Sequence, residues 1–129
     1  MERFFDAECD VKLLSPLTLA FVGDAVFEVF VRERLVCKGN CPVGKLHSRS
    51  VEQVCCTAQA QALEKLLPIL TEEEQAVYRR GRNAQPKSTP KNRSVQDYHE
   101  ATGLEALFGY LYLSGEIARL REFFDRITV

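Results

Sequence analysis

Apolar residues along this chain recur at three- and four-residue intervals, and nowhere in the strict alternation that marks a strand. The pattern predicts a succession of helices. Residues 1 to 14 read as a short lead-in whose Phe4, Phe5, Leu13 and Leu14 dock on a core. Ser15-Pro16 predicts a helix start, with Ser15 as N-cap and Pro16 in the first helical position. That helix runs to about Val36, with a solvated end at Arg32-Glu33-Arg34. Of the fifteen residues Leu17 to Val31, eleven are apolar, which predicts burial of most of the circumference. At about 100° per residue, Leu17, Phe21, Asp24, Glu28, Val31 and Leu35 fall on one stripe.

Cys37 to Gly44 reads as a turn, and a second helical segment covers roughly Val43 to Leu67. Its Leu46, Val51, Val54, Cys55, Ala58, Ala62, Leu63 and Leu66 keep helical spacing, and Pro68 ends it. Thr71 and Glu74 have the spacing of a capping box, so a short helix follows to about Arg80 or Gly81. A basic loop, expected to be flexible, spans about 82–94. Ser94 and Asp97 suit the start of a further helix to about Leu113, with Ala101, Leu104, Glu105, Phe108, Leu111 and Tyr112 on one face. Ser114-Gly115 breaks it, and Glu116 to Ile127 forms a last amphipathic helix. The class predicted is all-α, and 129 residues make one domain, residues 1–129.

Composition adds little to this and charge somewhat more. With 46% hydrophobic and 27% charged residues the chain reads as an ordinary globular one. A net charge of −1 means that any basic surface is local. From Gln75 to Gln96 there are six basic residues and no acidic one. An odd count of five cysteines, Cys9, Cys37, Cys41, Cys55 and Cys56, argues against a closed disulfide framework. No signal-peptide pattern and no apolar run of membrane-spanning length is present, so a reducing cytoplasm and no membrane are expected.

Three groupings carry candidate chemistry. Asp24 and Glu28 stand on one apolar helix and Glu105 on another, so packing could gather carboxylates in a partly dry pocket. Mg²⁺ suits such a pocket, because it takes oxygen ligands and keeps several waters. The competing account makes these acids satisfied core carboxylates. Gly23 beside Asp24 has a packing or access reason, since glycine inside a helix is costly. Arg79, Arg80 and Arg82 lead into a loop holding Lys87 and Lys91, a combination that can grip phosphates; the competing account is a solvated loop. Cys37, Cys41, His47, Cys55 and Cys56 make a poor zinc set and read better as buried reduced thiols. His47 reads as a solvent or helix-packing histidine.

Phe21-Val22-Gly23-Asp24-Ala25-Val26 resembles the signature helix of the ribonuclease III domain. Thr102-Gly103-Leu104-Glu105-Ala106-Leu107-Phe108-Gly109 resembles its second acidic motif. Arg80-Gly81-Arg82-Asn83-Ala84, Pro90-Lys91-Asn92 and Tyr98 resemble the Mini-ribonuclease III subfamily, which consists of the catalytic domain alone. The resemblance extends from about Ser15 to Phe124. It implies the ribonuclease III catalytic (endonuclease) fold, a two-fold homodimer and Mg²⁺-dependent hydrolysis of double-stranded RNA, with Mn²⁺ able to substitute. Products would carry 5′-phosphate and 3′-hydroxyl ends. The implied substrate is precursor of large-subunit (23S) ribosomal RNA, with ribosomal proteins as prospective partners. Asp24 and Glu105 would be the catalytic and metal-holding residues, with Glu28 as a supporting acid one turn away. Arg79, Arg80, Arg82, Asn83, Lys87 and Lys91 would contact RNA.

The chain departs from full-length ribonuclease III in three places. Leu17, Ala20 and Thr102 stand where the parent pattern has acids. The metal would therefore have fewer protein carboxylates and more water or phosphate. No double-stranded-RNA-binding domain is appended, so affinity should be weak and salt-sensitive. The departures also motivate two other readings, a catalytically silent helical RNA-binding module and a purely structural helical dimer.

Overall fold

Local caps set several helix boundaries in the computed structural model, which describes residues 3–84 and 95–128. Helix α1 is Pro16–Val36, α2 Val43–Val54, α3 Cys56–Leu66, α4 Glu72–Asn83, α5 Val95–Leu113 and α6 Ile117–Thr128. Short 3-10 turns cover Val11–Leu13 and Leu67–Ile69. There is no strand among the described residues, and the all-α class holds. Ser15 Oγ accepts from the Thr18 amide at 3.2 Å, so α1 starts where its cap predicts. At α4 both halves of the capping box form: the Glu74 amide donates to Thr71 Oγ1 and the Thr71 amide to Glu74 Oε1. Ser94, Lys87, Lys91 and the basic loop around them lie outside the described residues.

Two expectations about helices are corrected. The segment from Val43 to Leu67 is two helices, because the chain turns extended at Cys55, with φ −64° and ψ 160°. The stripe on α1 is also misplaced. Its buried side is Leu19, Ala20, Gly23, Phe27, Val31 and Leu35, whereas Leu17 and Asp24 are exposed and Phe21 is 81% exposed. A helix apolar nearly all round gives periodicity no face to select. The lead-in docks less than expected: Phe4, Phe5 and Leu13 stay exposed, and Leu14 is half-buried. The five thiols form no disulfide, and none is fully buried, contrary to the packing expected of them.

Helix α5 occupies the centre, packed against α1, α3, α4 and α6. Rather than one apolar stripe it buries almost its whole middle, from Ala101 to Leu104 and from Ala106 to Gly109. Phe27 stacks on Phe108 at 5.6 Å, and Phe124 meets Phe108 edge-on at 5.5 Å. Arg119 on α6 clamps the buried Glu74 at 2.8 Å and donates to the Ile69 carbonyl. Burial is the largest single influence and would raise the Glu74 pKa, but the hydrogen bonds from Arg119 and Thr71 and the charge of Arg119 together outweigh it, and the carboxylate titrates below its usual range.

Glycines set the two closest approaches to α5. A Cβ on Gly23 would fall 1.6 Å from the Glu105 carbonyl oxygen, and one on Gly109 would fall 1.9 Å from that of Leu19. A Cβ on Gly81 would lie 2.6 Å from the Ala106 Cβ and 3.0 Å from the Gly103 Cα. So α1 and α4 both lie backbone-to-backbone on α5.

Candidate functional site

The α1–α5 crossing places Asp24 directly beside Glu105. Asp24 follows Gly23 in α1, and Glu105 is the residue whose carbonyl Gly23 touches. The two carboxyl groups lie close enough to influence each other through hydrogen bonding and charge. Asp24 is on the exposed side of its helix, while Glu105 is half-buried. Burial first, then the hydrogen bond and charge of Asp24, push the Glu105 pKa well above the usual carboxylate range, while a hydrogen bond from Gln59 pulls it down. Glu105 therefore holds a proton to higher pH than an isolated carboxyl does. The burial that composition led one to expect at Asp24 is borne by Glu105 instead.

Gln59 of α3 forms the third side. Its Nε2 donates to Glu105 Oε2 at 3.4 Å and to the Val54 carbonyl at 2.9 Å. Sequence reasoning passed over this residue, although a signal was there: Gln59 stands three, four and seven positions before Ala62, Leu63 and Leu66, on the buried stripe of α3. Glu28, one turn after Asp24 on α1, accepts from Arg32 Nε at 3.0 Å. Of the positions that depart from the parent acidic pattern, Ala20 is packed with Leu19, Val77 and Ala106. Thr102 is buried and donates to the Tyr98 carbonyl at 3.0 Å.

No group of three or more His, Cys, Asp or Glu residues converges on a metal position among the described residues. The donor set at this site is two carboxylates and a carboxamide. Mg²⁺ is commonly held by one or two carboxylates, with waters and phosphate oxygens completing its sphere. Two carboxyls close enough to share a proton offer a divalent cation a place that the proton would vacate. The donor set fits a hard cation of that kind and not zinc, which takes more nitrogen and sulfur ligands.

The arginines of α4 divide between two faces. Arg79 donates to Gln75 Oε1 at 3.3 Å, and Arg82 lies 5.4 Å from the centre of the Tyr78 ring and donates to Asn83 Oδ1. Tyr78 in turn donates to Glu100 of α5. Arg80 points elsewhere, into a shallow depression with Lys12, Glu73 and Tyr110. At about 100° per residue, Arg79 and Arg82 share a face and Arg80 does not.

Comparison with known proteins matches residues 17–116 to the Ribonuclease III domain. The Mini-ribonuclease 3 of Symbiobacterium thermophilum is 52% identical over 109 residues, covering 84% of each chain. That of a Thermoanaerobacter species is 47% identical over 112 residues, 87% of this chain and 79% of its own. The Staphylococcus aureus protein of the same name is 41% identical over 119 residues, 91% of this chain and 89% of its own. Among solved structures, a crystal structure of a Fusobacterium nucleatum protein superposes with a TM-score of 0.81 at 28% identity, covering 92% of this chain and 94% of its own.

Proposed function

This chain belongs to the ribonuclease III family, an endoribonuclease family acting on double-stranded RNA, and from that premise we propose a Mg²⁺-dependent nuclease that matures large-subunit ribosomal RNA precursor. The observation that carries the reading is the pairing of Asp24 with Glu105 across the α1–α5 crossing. When bound there, a divalent cation supplies charge neutralisation at a phosphate and an activated water. Asp24 and Glu105 would hold and orient that ion. Partial burial of Glu105 beside Gln59 holds its carboxyl and keeps bulk water from one side. Arg79, Arg82 and Asn83 at the end of α4, with Lys87 and Lys91 beyond it, position the phosphate backbone. A-form RNA is recognised there by shape and 2′-hydroxyls, with limited sequence readout.

The exposed apolar face of α1 supports assembly as a two-fold homodimer. Phe21 is 81% and Val29 55% exposed, and a groove between α1 and α6 lined by Phe4, Val22, Val26, Phe30 and Phe124 lies alongside. Contiguous apolar surface of this kind marks an interaction site. Light scattering at micromolar concentration should report about twice 14.6 kDa. A strict monomer would remove the composite valley in which two sites face one duplex.

The function is tested by incubating the protein with long double-stranded RNA at low salt, with and without Mg²⁺. Cleavage only with Mg²⁺, leaving 5′-phosphate ends, is expected. Retained binding without cleavage would leave the silent-module reading instead. For the arginines, Arg79→Gln with Arg82→Gln should weaken binding and flatten the slope of log K against log [salt] by about 1.5–2. Adding Arg80→Gln should change the slope little. An unchanged slope in the double variant would show that this face of α4 does not meet RNA.

A further inference from the structure

We propose that Gln59 is a positioning residue of the Asp24–Glu105 pair, holding the Glu105 carboxylate where a cation requires it; this rests on the reading of that pair as the cation site. Among the described residues four polar or charged ones are buried: Ser50, Gln59, Glu74 and Thr102. Ser50 and Thr102 bond carbonyls within their own helices, and Glu74 is paired with Arg119. Gln59 is the one of the four that reaches a carboxyl of the candidate site.

The orientation of its carboxamide is fixed by the break between α2 and α3. Val54 is the last residue of α2, so its carbonyl has no partner within that helix. Gln59, one turn into α3, donates to that carbonyl at 2.9 Å, and its remaining N–H is directed at Glu105 Oε2. Turning the amide over would set Oε1 against the Val54 carbonyl, acceptor against acceptor. Gln59 thus ties the end of α2, the start of α3 and the acid of α5 together through one planar group.

The same group is incompletely satisfied. Gln59 Oε1 is buried and has no hydrogen-bond partner. An unpaired buried acceptor is costly, and donation to the Val54 carbonyl uses only the N–H side of the carboxamide. The bond to the Val54 carbonyl accounts for the N–H side of this group and leaves Oε1 without a role. Oε1 belongs to the carboxamide that contacts Glu105, so it lies within reach of a donor entering with the ion, such as water of its hydration shell. The proposal makes Gln59 the partner that orients Glu105 and then receives that donor.

The test compares wild type with Gln59→Met in the full chain, using Mn²⁺ as the probe. Mn²⁺ affinity is read by electron paramagnetic resonance without RNA, alongside melting temperature, metal-free RNA binding and single-turnover cleavage in Mg²⁺. Gln59→Met is expected to weaken Mn²⁺ binding 10- to 100-fold and to slow cleavage comparably, with RNA binding unchanged. Mn²⁺ affinity within twofold of wild type, at a temperature where both are folded, would overturn the proposal. If Gln59→Met does not fold, the Gln59 side-chain amide resonances of wild type decide it. Mg²⁺ should shift them, and should not in Asp24→Asn; resonances unmoved in wild type would overturn it. A wild type that neither binds Mn²⁺ nor cuts RNA overturns the cation-site reading along with the proposal. A wild type that does both, beside an unaffected variant, overturns only the role of Gln59.

Discussion

Asp24→Asn should cut double-stranded-RNA cleavage by about 10³-fold or more while leaving the fold in place. The size follows from what a bound cation supplies, several kcal/mol of stabilisation where charge develops, about 4 kcal/mol for a factor of 10³. Asparagine keeps the shape of the side chain and removes its charge. Because Asp24 is on the exposed side of α1, the change in stability should stay within about 1 kcal/mol. RNA binding without metal should also persist, since the phosphate contacts belong to other residues. Single-turnover cleavage, circular dichroism and filter binding together measure all three. Equal cleavage by mutant and wild type would end the assignment of Asp24 as a metal-holding residue.

Gly23→Ala should damage both stability and activity. The added Cβ meets the Glu105 carbonyl oxygen at 1.6 Å, its carbon at 2.5 Å and the Gly109 nitrogen at 2.8 Å. All three are main-chain atoms, so no rotamer change relieves the clash and α1 must move away from α5. Overpacking of this kind sits at the upper end of the usual range, about 3 kcal/mol, or roughly 10 °C in melting temperature. The move also separates Asp24 from Glu105, and a displacement of about 1 Å can cost 10²-fold in rate. Gly44→Ala is the matched control. It too is a helical glycine, but nothing lies within 4 Å of the added Cβ, so it should be neutral or slightly stabilising. Similar melting temperatures for Gly23→Ala and Gly44→Ala would contradict the proposed crossing.

Much of this arrangement could be read from the chain, and the parts that could not share a physical reason. Starts governed by short-range hydrogen bonds were legible: Ser15 before Pro16, and Thr71 with Glu74. The pairing of Asp24 with Glu105 was legible as two acids on apolar helices, and the glycine beside Asp24 pointed to close packing. What depended on tertiary partners was not. The break at Cys55 carries no glycine or proline, and Val54 at that break is bonded by a side chain from the next helix. The buried side of α1 could not be chosen from a segment with apolar residues on every side. Gln59 was hidden because an amide does not announce itself as a carboxylate does, although its place on the α3 stripe was in view.

The main-chain contact between α1 and α5 also makes stability and turnover separable in this protein. The gap between the two carboxyl groups is set by peptide atoms touching peptide atoms at Gly23 and Gly109, with no intervening side chain to compress or trim. Trimming core side chains that are not part of that peptide contact, for instance Phe123→Ala or Leu66→Ala, removes several kcal/mol of packing and leaves the main-chain atoms at Gly23 and Gly109 in place. Such variants should melt earlier yet cut at near-normal rates while they remain folded.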